Sequence, residues 1–252
     1  MKFCKICNDE YPDNLIFCPK CGSFLTNKPV VTQELKSNNY KNRKSKSFEK
    51  VDYDSIPENI NELLDDSIIS NKINEFFINY IPETINSKSS FVSKLSNFLR
   101  NNLENAEVYL GGDSSDILIK LNNKKYGIRL RYSKNEGNYT SNVPQALYQC
   151  IRDIYLMEIE KKSLSLDNTY TVMLVDDDAF YREKRAKDQL YKYFRNKCFD
   201  TDEYIVSPKE INGEISNPVD DNYKDGSYFI KGNYRIVWIK AKNNERYFIL
   251  KI

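Results

Sequence analysis

The spacing of apolar and polar positions changes several times along this chain, and each change marks an element. Across residues 56–80 apolar side chains recur at Ile60, Leu63, Leu64, Ile68, Ile73, Phe76, Phe77 and Tyr80, the three-to-four spacing that lines one face of a helix, with a break expected near Ser70. Phe91, Leu95, Phe98 and Leu99 repeat that spacing and predict a second helix capped by Ser89 or Ser90. The rhythm then shortens to two. Residues 107–110, 116–121 and 126–132 read as three short strands, separated by Gly111-Gly112-Asp113 and Asn122-Asn123-Lys124, and Asn-Asn is hairpin chemistry because Asn tolerates positive φ. Val143, Leu147, Cys150, Ile151, Ile154 and Met157 put one apolar stripe on a long helix over about 143–161. Residues 169–175 form a nearly continuous apolar run, the signature of a strand buried on both faces. Asp176, Asp177 and Asp178 suit the start of a helix near Arg182. Alternation over 233–240 and 246–252, around Lys242-Asn243-Asn244, predicts a closing hairpin. The order helix, three strands, helix, strand makes the main domain α/β.

Composition narrows the class. At 252 residues, 40% apolar and 29% charged, the chain is long enough for one sizeable domain plus a small satellite. It contains no apolar run near 18 residues, and its start passes directly into a cysteine motif, leaving no room for a signal peptide. A soluble, cytoplasmic protein without a membrane partner is expected. Cys150 and Cys198 fall singly in predicted helices, as buried thiols of a reducing compartment would. The net charge of +2 hides local patches: Lys120, Lys124, Lys125, Arg129, Arg131 and Lys134 occur with no acid among them, and residues 36–50 are also basic. The chain has no histidine. That excludes Ser-His-Asp and Cys-His catalysis and His-based zinc proteases, so any chemistry must use carboxylates, Lys, Tyr or metal-bound water.

Cys4-Lys5-Ile6-Cys7 and Cys18-Pro19-Lys20-Cys21-Gly22 are two Cys-x-x-Cys turns separated by ten residues. Each turn can present two thiolates to one ion, and two turns complete a closed tetrahedron, which is structural zinc and not a catalytic site. Residues 1–25 are therefore expected to fold around Zn2+ held by Cys4, Cys7, Cys18 and Cys21, with Phe3, Tyr11, Leu15, Ile16 and Phe17 as a minimal core. The stretch resembles the short zinc ribbons at the start of many prokaryotic proteins, which bind nucleic acid or protein. Residues 26–54, rich in Ser, Asn and Lys, read as a basic linker, and residues 55–252 as the main domain.

In the main domain Asp116 opens the second predicted strand as Ser115-Asp116-Ile117-Leu118-Ile119, and the third strand reads Tyr126-Gly127-Ile128-Arg129-Leu130-Arg131-Tyr132. With the helix, three strands, helix, strand order, these residues resemble the PD-(D/E)XK nuclease superfamily over about residues 91–176. Together with the zinc ribbon, the resemblance implies an α/β chain with a restriction-endonuclease-like αβββαβ core, a helical N-terminal extension and C-terminal β-hairpins. It also implies chemistry on the second and third strands and a Gln from the following helix, here Gln145 in Pro144-Gln145-Ala146-Leu147-Tyr148-Gln149. The chain departs from that pattern in one respect: where the family's third strand carries an acid, any residue and a lysine, it carries Arg129 and Arg131.

The departure has a physical consequence. Metal-assisted phosphodiester hydrolysis needs a divalent cation on at least two oxygen ligands, and Asp116 alone is too little. Two guanidinium groups beside it favour an anion and match phosphate geometry. The expected function is nucleic-acid binding without cleavage, DNA favoured over RNA, through Arg129, Arg131, Lys120, Lys134 and Gln145. The alternatives are an active Mg2+-dependent nuclease in which Asp116 is catalytic with an acid relocated from Asp113, Glu107, Glu136 or Glu158, and a protein-binding scaffold. Tyr228, Phe229, Tyr234, Trp238, Tyr247 and Phe248 interleave with basic residues, but strand alternation assigns them to a core before a base-stacking surface.

Overall fold

The computed structural model describes residues 2–4, 9–12, 26–27, 67–81, 85–111, 115–133, 143–182, 189–195, 203–216, 227–243 and 245–252. The chain divides into two compact units, Met1–Phe48 and Glu49–Ile252. In the first, three short antiparallel strands, β1 (Lys2–Cys4), β2 (Asp9–Tyr11) and β3 (Thr26–Asn27), form a sheet in the order β2-β1-β3. Cys7, Cys18 and Cys21, the side chain of Cys4 and most of the basic linker lie outside the described residues.

The second unit is mixed α/β around a seven-stranded sheet in the order β4-β5-β6-β7-β12-β11-β8. Helix α1 (Ile68–Glu75) precedes α2 (Lys88–Asn102), β4 (Ala106–Leu110), β5 (Ile117–Leu121) and β6 (Lys124–Ser133), then α3 (Val143–Ser163) and β7 (Asn168–Val175). Beyond them come β8 (Tyr204–Val206), β9 (Ile211–Ser216), β10 (Ser227–Tyr234), β11 (Val237–Lys240) and β12 (Arg246–Lys251). Strands β4, β5 and β6 form an antiparallel meander, and α3 carries the chain over to β7, which lies parallel to β6. Parallel neighbours require such a crossover. All other pairings in the sheet are antiparallel.

Each face of the sheet carries its own core, and the period of two decides which residue goes where. Ile117, Ile119, Ile128, Leu130, Tyr170, Val172 and Leu174 face α1 and α2, whereas Met173, Val175 and Phe248 join Leu147, Cys150, Ile151 and Ile154 of α3. The unbroken apolar run of β7 follows from burial on both sides. Asn122 and Asn123 adopt φ of 51° and 63°, the paired left-handed conformation of the tightest hairpin turn, which sets the β5–β6 register.

Several expectations are revised. Ser87, not Ser89 or Ser90, caps α2, its hydroxyl accepting from Ser90 N. Helix α1 runs through Ser70 without a break and widens into a π-helical turn at Phe76–Tyr80, where Phe77 stacks on Tyr247 at 4.0 Å between ring centroids. Asp177 caps a single 3-10 turn, Asp178–Phe180, by accepting from Ala179 N, and residues 183–188, where the helix near Arg182 is expected, lie outside the described residues. The strand expected over 233–240 is two strands: among the described residues β10 pairs with β9 in a separate ribbon, and β11 joins the main sheet. The chain crosses between them at Arg235 and Ile236, which donate to Ser207. Trp238, Tyr247 and Phe248 are buried, as their alternation implied, whereas Phe229 is exposed on the ribbon.

Candidate anion site at the α3–β6 junction

Asp116 stands at the head of β5, where its amide donates to Ile128 O at 2.8 Å. Its carboxylate is fully engaged: Oδ2 accepts from Leu130 N at 2.7 Å, and Oδ1 lies 2.8 Å from Lys88 Nζ at the start of α2. Asp116 thus ties α2 and β6 together with its own charge balanced by a lysine.

Arg129 and Arg131 alternate on β6 with Ile128 and Leu130, so they point away from α2 and toward α3. There they meet Asp153, which is only 1% exposed. Arg129 Nε donates to Asp153 Oδ1 at 3.1 Å and Arg131 Nε to Oδ2 at 2.7 Å. Arg131 also donates from Nη1 to Gln149 Oε1 at 2.7 Å. The Asp153 carboxylate thus bridges two permanent cations. A charge-assisted bridge of this kind clamps helix to strand, and it survives burial only because each charged atom has a partner. The adjacent Cys150 thiol is raised by burial first and by Asp153 second.

The cations and the acid singled out from sequence are therefore not one pocket. Asp116 bonds on the α2 side, Arg129 and Arg131 on the α3 side. Gln145 is exposed on the first turns of α3, and it is Gln149, one turn on, that meets Arg131. Lys120 lies toward the hairpin end of β5, 3.6 Å from Glu107. Lys134 is outside the described residues, as are Asp113 and Glu136. The two remaining acids considered for a metal are committed elsewhere. The Tyr109 hydroxyl, 2.6 Å away, and then Lys120 hold the Glu107 carboxyl below its ordinary range. Glu158 accepts from Lys231 N, Gly232 N and Tyr234 Oη, fastening the β9–β10 ribbon to α3. Among the described residues no three acidic or cysteine side chains gather to hold a cation.

Asp153 is the residue that sequence reasoning missed. Its signal is an acid set inside the apolar stripe of α3, between Cys150 and Ile154 and one turn from Met157, with Gln149 four residues before it. An acid there needs a buried cation, and Arg129 and Arg131, two apart on a strand, are the pair able to supply it. Compared with known proteins, the chain matches no family model, no curated protein and no solved structure. Among the described residues no helix is long and apolar enough to cross a membrane.

Proposed function

We propose that this chain binds the phosphate backbone of nucleic acid, DNA in preference to RNA, without cutting it, on a degenerate PD-(D/E)XK-type core. One observation carries this: the two third-strand positions that would hold an acid and a lysine hold Arg129 and Arg131, two permanent cations side by side on β6. Guanidinium groups at those positions supply no metal ligand and match the geometry of a phosphate. Further support comes from the order α2, β4, β5, β6, α3, β7 with β7 parallel to β6, and from Lys88 balancing Asp116. Cys4, Cys7, Cys18 and Cys21 form a four-thiolate donor set that fits structural Zn2+, and the ribbon they close would supply a second contact, to nucleic acid or to protein.

The test is fluorescence anisotropy of labelled 20-mers, single-stranded and duplex, across a salt series, with gel analysis of the same mixtures in Mg2+. Affinity should fall by about 0.7 to 0.9 log units per log unit of salt for each phosphate neutralised, and the oligomers should stay intact. Mg2+-dependent cutting abolished by Asp116→Ala would instead establish the nuclease. Absence of binding at low salt would leave the protein scaffold.

A further inference from the structure

The meander β4-β5-β6 has a face that the function proposed above does not use. On its first face Val108, Ile117, Ile119, Leu121, Tyr126 and Ile128 enter the core beneath α2. Alternation sends Glu107, Tyr109, Leu118, Lys120 and Lys125 to the other. Helix α3 packs on β6 and β7, and the strands beyond stay open: Tyr109 is 53% exposed, the Lys120 side chain 51%, and Lys125 is exposed too.

Register aligns these residues in two rows. Glu107 lies opposite Lys120, and Lys120 opposite Lys125; two residues along, Tyr109 lies opposite Leu118, and Leu118 opposite Gly127. Gly127 is a close-approach glycine, since a Cβ there would stand 2.5 Å from Ser115 Oγ. The outer row is thus an aromatic ring beside an aliphatic one-strand neighbour, and the inner row is two lysines with Glu107 at its β4 end. Neighbouring strands are about 4.8 Å apart and residues along a strand about 3.4 Å, so the backbones of Tyr109, Lys120 and Lys125 fall within about 12 Å of one another. The hydroxyl of Tyr109 is held by Glu107 at 2.6 Å, which fixes an otherwise free ring. On this face Lys120 and Lys125 outweigh Glu107, whereas Lys124, opposite Leu121, alternates to the other face, and Asp167 bonds Lys125 through its backbone amide.

We infer that this open face is a stacking platform for single-stranded nucleic acid, with one unstacked base on Tyr109 and its flanking phosphates on Lys120 and Lys125. The inference rests on the nucleic-acid reading above and adds the strand state. A duplex keeps its bases stacked on one another and offers nothing to the ring, whereas a single strand offers both a π-face and phosphates. A purely acidic polypeptide would satisfy the lysines and leave Tyr109 unused.

The experiment measures the full chain against fluorescein-labelled oligo(dT) and a duplex of equal length, with Tyr109→Leu, Tyr109→Phe and the pair Lys120→Gln, Lys125→Gln. The wild type should prefer the single strand. Tyr109→Leu should weaken oligo(dT) binding on the order of tenfold and leave duplex binding unchanged, Tyr109→Phe should retain it, and the lysine pair should flatten the salt dependence. Equal affinity of Tyr109→Leu and wild type for oligo(dT), or displacement by polyglutamate that is insensitive to Tyr109→Leu, overturns the platform. Failure of the wild type to bind either oligomer at low salt overturns the underlying function itself.

Discussion

Removing the Asp153 carboxylate should unbalance the junction of α3 with β6 more than any exposed change. Both oxygens are occupied, by Arg129 Nε at 3.1 Å and Arg131 Nε at 2.7 Å, around a group 1% exposed. At an effective dielectric constant near 20, each pair at ~4 Å between charge centres attracts by about 4 kcal/mol, a gain largely offset by desolvation. Deleting one partner removes the attraction and leaves the desolvation cost in place. For Asp153→Ala two guanidinium groups, 15% and 19% exposed, would stay under α3 without the carboxylate they share, which costs about 3–5 kcal/mol. With a urea m-value of about 2–3 kcal/mol/M for a unit this size, the unfolding midpoint should fall by roughly 1–2 M. A triple variant, Arg129→Met, Arg131→Met and Asp153→Leu, should recover most of that stability, because apolar groups of similar volume often replace a buried ion cluster at little cost. The same triple variant should bind nucleic acid less well, which separates the clamp from the phosphate contact proposed for its cations. Equilibrium unfolding followed by the emission of Trp238, the only tryptophan and fully buried, reads both. A midpoint for Asp153→Ala within about 0.2 M of wild type would mean that the cluster is hydrated in solution and carries neither role.

What could be read in the chain before its fold was known tracks how local the deciding forces are. The run at 169–175 announces a strand with two buried faces, because no other environment accepts Tyr170, Val172, Met173 and Leu174 on alternating sides. Asn122-Asn123 announces its turn through backbone sterics alone. Ser87 rather than Ser89 caps α2 because the cap is chosen by where the preceding chain leaves the helix axis, and three serines within four residues offer equal local chemistry. The Arg129 and Arg131 side chains were readable as one-sided, and their destination was not. It depends on α3 crossing over β6 so that Asp153 arrives above them, a pairing across more than twenty residues that no short spacing encodes. Likewise Glu158 looked available as a metal ligand until the β9–β10 ribbon placed two backbone amides on it.

Two further outcomes are expected. The full chain should carry one Zn2+, released by a thiol-modifying reagent and measured with a chromogenic chelator; Cys18→Ser should lose it while the unfolding midpoint reported by Trp238 stays within error, because the contacts of residues 49–252 form a separate unit. A shared loss of zinc and of that midpoint would refute the independence of the two units. Alkaline pH should destabilise the second unit, and the sign follows from burial. Desolvation lifts the Tyr148 hydroxyl to about 12 and raises Tyr234 and Tyr247 above their ordinary value as well. The unfolded chain loses these protons near pH 10, and the folded chain holds them longer. Below pH 10 both states are neutral and stability is flat on this account. Between pH 10 and about 12 the unfolded state binds fewer protons, so stability falls as pH rises. Urea midpoints at pH 7, 8 and 11 should therefore be level between the first two and lower at the third. A midpoint that does not move up to pH 11 would mean that these hydroxyls are as solvated in the folded protein as in the unfolded one, and that α3, β10 and β12 do not enclose them.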